Sequence, residues 1–143
     1  MEGGKLIDSV DVVLVGAFYG RGRRKGLYGT YIGAVYDPKN DVFEAFTRVA
    51  SGLTDEIMES MMEDMKRHEV KNKPKYVRCD DTPDIWFNPE IVIEIIGDEI
   101  TISEKFASLG YSMRFPVFQR LRHEKGPKDI TSVREIKELY ETQ

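Results

Sequence analysis

Cysteine and histidine are almost missing from this chain: Cys79 stands alone, and His68 and His123 are its only imidazoles in 143 residues. One thiol cannot form an internal disulfide, so a reducing, intracellular compartment is the simpler expectation. With so few soft ligands and no metal-ligand spacing, no zinc finger can be built. His68 reads as a helix C-terminal cation and His123 as a surface residue. Long apolar runs are missing too. The longest, Val12 to Val15 followed by Gly16, Ala17 and Phe18, is far short of the ~20 residues a membrane helix needs, and no charged-then-apolar leader opens the chain. A soluble, untargeted, monomeric protein is expected. No P-loop, G-x-S-x-G or H-E-x-x-H occurs, so standalone phosphoryl transfer, acyl transfer and zinc hydrolysis each lack their usual signature.

What is present fits one globular domain, with 41% hydrophobic and 32% charged residues. A chain of this size buries roughly 70% of its unfolded surface and needs no covalent staples. Lys and Arg total 21 against 25 Asp and Glu, a net charge of -4, which argues against a surface that binds nucleic acid all over. The charge is segregated, however. Four of the seven residues in Gly20-Arg-Gly-Arg-Arg-Lys-Gly26 are basic, and Arg114, Arg120, Arg122, Lys125 and Lys128 crowd a second stretch. Between them lie Asp55, Glu56, Glu59, Glu63 and Asp64. The two basic segments are expected to meet as neighbours on one concave face.

The β-branched run after Asp11 and the segment Tyr28 to Tyr36 predict two strands joined by the Gly20–Gly26 loop. Gly16, Gly29 and Gly33 inside them point to bulges, coiling or close backbone approach, as a small closed barrel requires. After the turn Asp37 to Asp41, Val42 to Val49 is a third strand. Thr54 as N-cap, Asp55 and Glu56 in a first turn, and Lys66, Arg67 and His68 in a last turn predict a helix over 54–68. Its face of Ile57, Met58, Met61, Met62 and Met65 should lie against the barrel.

Further on, Tyr76 to Cys79 is a short strand and Ile85, Trp86 and Phe87 a buried anchor. Ile91 to Ile96 and Glu99 to Ser103 are expected to form a hairpin across Gly97-Asp98. Tyr111 to Phe118 is a further extended segment, and Ser132-Val-Arg-Glu135 is a capping box opening a short C-terminal helix. Short strands with one helix after the third is the order of an OB-fold Greek-key barrel, and another small β-barrel with an inserted helix fits the pattern as well. The fold class is therefore all-β with an inserted helix.

Two constellations carry chemistry. The loop with Arg21, Arg23, Arg24 and Lys25 suits a polyanion, because glycines admit close approach while guanidiniums fork onto phosphate oxygens. Four phosphate contacts would give a logarithmic salt slope of about -3.6, roughly a hundredfold loss of affinity between 50 and 200 mM salt. In the second, Arg114-Phe-Pro-Val-Phe-Gln-Arg-Leu-Arg122, aromatics interleave with cations. Extended alternation puts Arg114, Phe118 and Arg120 on one side and Phe115, Val117 and Leu121 in the core. Phe118 is then the exposed aromatic.

Asp11-Val-Val-Leu-Val-Gly-Ala-Phe-Tyr-Gly-Arg-Gly-Arg-Arg24, Ser51-Gly-Leu-Thr-Asp55, Pro83-Asp-Ile-Trp86 and Arg114-Phe-Pro-Val-Phe118 through Arg122-His-Glu-Lys125 occur in this order over essentially the whole chain. Together they resemble the C-terminal OB-fold domain of archaeal and eukaryotic ATP-dependent DNA ligases. The resemblance implies a preceding nucleotidyltransferase domain whose lysine becomes adenylated, ATP and Mg2+ bound mainly there, and nicked duplex DNA as partner. A sliding clamp is a further possible partner, and the compartment is an archaeal cytoplasm or a eukaryotic nucleus.

In one pose Arg122 and Lys125, matching the last nucleotidyltransferase motif, would orient the departing pyrophosphate. In the other, Arg21, Arg23, Arg24, Lys25, Arg114, Phe118 and Arg120 would face the DNA backbone. The chain departs from the family pattern at Val117, where a basic residue often stands, and at Glu124, where aspartate is usual. No K-x-D-G occurs, so the chain is expected not to ligate alone and to be an excised domain or part of a longer ligase. The alternatives are a stand-alone OB module coating single-stranded nucleic acid, and the analogous domain of an mRNA capping guanylyltransferase, which does not predict the glycine-arginine loop.

Overall fold

The computed structural model describes residues 9–143. In chain order it runs β1 (Val10–Tyr19), a 3-10 turn (Gly22–Arg24), β2 (Tyr28–Asp37), β3 (Val42–Val49), α1 (Asp55–Arg67), β4 (Glu69–Val70), β5 (Val77–Arg78), β6 (Ile85–Phe87), β7 (Val92–Ile96), β8 (Glu99–Ile102), β9 (Tyr111–Arg114), β10 (Val117–Leu121) and α2 (Val133–Thr142). The main sheet orders its strands β10-β7-β1-β2-β3-β5. Backbone contact between Ser51 and Val117 then joins the end of β3 to β10, with the Phe118 N–H donating to the Ser51 carbonyl at 2.8 Å. Strands β1, β2, β3, β7 and β10 thus form the expected OB barrel, with α1 inserted after its third strand.

The closure depends on Gly52. Its φ is +87°, and an added Cβ would lie 2.5 Å from the Phe118 carbonyl oxygen. Gly16 and Gly33 sit at the register shifts of β1 and β2, as expected of a coiled barrel.

The continuous Val12–Val15 run is explained by burial on both sides of the sheet. Inside the barrel, Val10, Val12, Leu14 and Ala17 pack with Tyr31, Phe46, Ile93 and Ile95. Outside it, Val13 and Val15 pack with Ile32 of β2, Phe43 of β3, and Phe106 and Ile130 from the covering segments. Helix α1 seals the interior with Met58, Met61 and Met65, while Ile57 and Met62 are partly buried beside them. Burying each side chain is worth about 1.5–3 kcal/mol. The Thr54 hydroxyl accepts from the Ile57 N–H at 3.2 Å, and the Ser132–Glu135 capping box is complete.

Three expectations fail. Residues 91–96 and 99–103 do not pair: β7 lies between β1 and β10, and β8 pairs with β9. A two-residue hairpin turn of the primed kind needs a positive φ, which Gly97 does not adopt; an added Cβ there would lie 2.4 Å from Met113. Tyr111 to Phe118 is not one strand, because Phe115 at φ 53° and Pro116 divide β9 from β10. Of the 85–87 anchor only Phe87 is fully buried, edge-on to Tyr28 at 5.4 Å between ring centroids.

Candidate nucleic-acid and phosphate site

The Gly20–Gly26 loop is an ordered turn. The Lys25 N–H donates to the Gly22 carbonyl at 3.0 Å, the Leu27 N–H to Arg24 at 2.9 Å and the Gly20 N–H to Leu27 at 2.8 Å. Positive φ at Gly22 and Gly26 makes this path possible. Arg21, Arg23 and Lys25 project into solvent. Arg24 donates its Nε–H to Asp55 Oδ1 at 3.0 Å, and Arg23 reaches the other oxygen at 3.6 Å. Asp55 in the first turn of α1 therefore fastens the loop and offsets part of its charge.

In the second segment a bulge at Gln119 reverses the expected phase. Phe118 opposes Ile95 and Arg120 opposes the adjacent Glu94, although Gln119 stands between Phe118 and Arg120. Phe118 is consequently a core residue, 6% exposed, and cannot stack on a base. The expectation of an exposed ring at Phe118 fails for that reason. The exposed ring is Phe115, at 65% exposure, beside the Arg114 guanidinium at 5.1 Å from the centroid. A positive φ at a bulky residue is a sterically costly conformation of the kind that clusters at ligand-contacting sites. Strict alternation hid it from the sequence. Arg114 also pairs with Glu99 at 2.9 Å and Arg120 with Glu94 at 2.8 Å.

Arg122 and Lys125 close a four-residue turn in which the Lys125 N–H donates to the Arg122 carbonyl at 3.1 Å. The turn brings both side chains onto one carboxylate, that of Asp11 on β1. Arg122 NH1 lies 3.2 Å from Asp11 Oδ1, and Lys125 Nζ lies 2.7 Å from Oδ2. Arg122 also meets Glu124 at 2.7 Å and Glu94 at 3.7 Å. The Ser9 hydroxyl and Arg120 hold the Glu94 carboxyl below the ordinary carboxylate range. The hydrogen bond from Arg122 does the same for Glu124. Asp11 and Glu94 were not singled out in the sequence, though Asp11 opens the first quoted motif.

The two basic segments therefore do not form one patch. The loop follows Tyr19 at one end of β1, and the Arg122–Lys125 turn sits on Asp11 near the other, a separation of roughly 25 Å along the strand. Only the start of β10 lies near the loop, through residues 51–55, which bridge to Val117 at one end and hold Arg24 at the other. Among the described residues no group of three His, Cys, Asp or Glu side chains could hold a metal ion, and no helix is long and apolar enough to cross a membrane.

Comparison with known proteins agrees with this architecture. DNA ligase of Pyrobaculum neutrophilum is 42% identical over 97% of this chain, which covers 25% of that protein. DNA ligase of Acidianus ambivalens is 43% identical over 97% of the chain and 24% of its own length. The chain thus spans about a quarter of the length of the curated relatives it matches. Among solved structures, the ligase domain of M. tuberculosis LigD superposes with a TM-score of 0.66 at 19% identity, over 87% of this chain and 38% of that one. The mycobacterial DNA ligase D complexed with ATP and MES gives 0.63 at 20% identity, over 88% and 38%. These two share the fold. The family model described as the ATP dependent DNA ligase C terminal region matches residues 24–125. The barrel with its inserted helix, and a sequence match running from Arg24 to Lys125, lead to one conclusion: the chain belongs to the family of ATP-dependent DNA ligase C-terminal regions.

Proposed function

We propose that this chain is the OB-fold arm of an ATP-dependent DNA ligase, with two duties performed in two poses. In one it closes over nicked duplex DNA through Arg21, Arg23, Arg24 and Lys25, with Arg114 just before the start of β10; Arg120, which shares Glu94 with Arg122, lies toward the other end. In the other it presents Arg122 and Lys125 to the triphosphate during self-adenylation. The observation that carries this reading is the placement of the loop and the Arg122–Lys125 turn toward opposite ends of β1. Cations so far apart cannot meet the same triphosphate, which supports a reading in which the domain meets two anionic partners in two orientations.

The site residues fit a polyphosphate. Arg122 uses Nε and NH1 on carboxylates, and its NH2 has no partner among the described residues; Lys125 spends one donor on Asp11. Fixed cations of this kind stabilise charge that develops on a leaving group. ATP with Mg2+ would supply the adenylyl group, with pyrophosphate leaving, and the adjoining nucleotidyltransferase domain would hold both. This chain's share is charge and orientation, and without K-x-D-G it should be inactive alone. Phe115, exposed beside Arg114, takes the DNA contact first assigned to Phe118, as apolar side chains do in a minor groove.

The test is reconstitution. Adding the chain to the separated catalytic domain should restore self-adenylation, and Arg122→Ala or Lys125→Ala should abolish the gain. No gain with the unmodified chain removes the catalytic duty. Binding tests the other duty: a ligase arm prefers nicked duplex, whereas preference for single strands would support the coating module instead.

A further inference from the structure

We infer that Asp11 is a positioning residue for adenylation, holding Arg122 and Lys125 side by side in the geometry a polyphosphate requires; this rests on the role proposed for those two cations. The carboxylate gives one oxygen to each, at 3.2 Å from Arg122 NH1 and 2.7 Å from Lys125 Nζ. Without it, two like charges would face each other on one turn and separate. Asp11 is itself rigid. Its N–H donates to the Thr131 hydroxyl at 3.0 Å, and its carbonyl accepts from the Thr131 N–H at 3.2 Å. Its side chain is only 12% exposed.

Glu94 cannot substitute for it, because Glu94 engages Arg120 at 2.8 Å and reaches Arg122 only at 3.7 Å. Arg122 is anchored through Nε and Nη1 with its side chain only 15% exposed, so its direction is fixed, and Lys125 beside it remains 31% exposed. Asp11 plays for the two cations the part that an outer-shell carboxylate plays for a metal-bound histidine: it sets the direction of the group that acts.

The test uses the full-length ligase that carries this region. Asp11→Asn is isosteric, but its amide turns N–H donors toward one of the cations. Single-turnover adenylation should slow by roughly 10–100-fold, as for loss of an outer-shell partner, with the ATP concentration dependence nearly unchanged. Pyrophosphate-driven reversal should slow by the same factor, and Asp11→Glu should recover part of the loss. Sealing of a synthetic pre-adenylated nick, which needs no pyrophosphate, is the internal control and should change by less than about twofold. Adenylation at the wild-type rate in Asp11→Asn, with Arg122→Ala and Lys125→Ala both impaired, overturns the inference. If those two variants also adenylate normally, the fault lies in the proposed function. Equal losses in adenylation and in nick sealing would make Asp11 a structural residue and overturn the inference too.

Discussion

Neutralising Asp55 should strengthen DNA binding while weakening the fold. Asp55 holds Arg24 at 3.0 Å and Arg23 at 3.6 Å, so one carboxylate restrains two of the loop's four cations. If it withholds about one phosphate contact, the logarithmic salt slope falls from about -3.6 to about -2.7. Between 50 and 200 mM salt the loss of affinity is then about fortyfold instead of over a hundredfold. Asp55→Asn should restore the steeper slope. The gain in affinity is limited by what an exposed pair is worth, about 0.2–1 kcal/mol, which corresponds to roughly 1.5–5-fold tighter binding at low salt. The same change removes an anion from the first turn of α1, costing about 0.3–1 kcal/mol and about 1–4 °C in Tm. Fluorescence anisotropy of a labelled nicked duplex at stepped salt measures the slope, and calorimetry the stability. An unchanged slope in Asp55→Asn would mean that Arg23 and Arg24 do not meet phosphate.

Phe115→Ala should reduce duplex affinity by about 1–3 kcal/mol with stability changed by less than about 0.5 kcal/mol. Phe118→Ala should instead cost about 3–5 kcal/mol in chemical denaturation, because the ring is core; the opposite pattern would restore Phe118 as the DNA contact. The Tyr31 hydroxyl is buried with no partner among the described residues, so Tyr31→Phe should raise stability by about 1 kcal/mol in urea titration. Asp81 is pushed up by burial, but hydrogen bonds from Arg48 and the Thr82 N–H outweigh this and hold it low; Glu94 is held low by Ser9 and Arg120. Folded-state values below the unfolded ones mean that both carboxylates stabilise the fold above their ordinary values, about pH 4, and that this contribution is lost as pH falls through the folded values. Tm measured against pH should therefore drop on the acid side, and less steeply in Asp81→Asn or Glu94→Gln; parallel curves for variant and wild type would refute the assignment.

How much of this was legible depended on how local each signal was. Helix α1 followed from Thr54 and its methionine spacing, and α2 from Ser132 and Glu135, because caps and periodicity act within a few residues. The strand order up to α1 followed for the same reason, as did the loop composition. The hairpin at Gly97-Asp98 failed because turn residues permit a hairpin without requiring one, and Ile91 to Ile96 finds a better partner in β1, 80 residues earlier.

The sequence by itself determined the class of barrel, the helix inserted in it and the two stocks of cations, since strand propensity, capping and charge count are properties of short stretches. Tertiary structure decided which aromatic faces water, through the break at Phe115–Pro116 and the bulge at Gln119, and which acid each cation meets, Asp55 for the loop and Asp11 for the turn. A bulge shifts side-chain phase by one residue, and an ion pair between positions 11 and 125 exists only once the barrel has brought them together. Neither quantity is written in any local window of the chain.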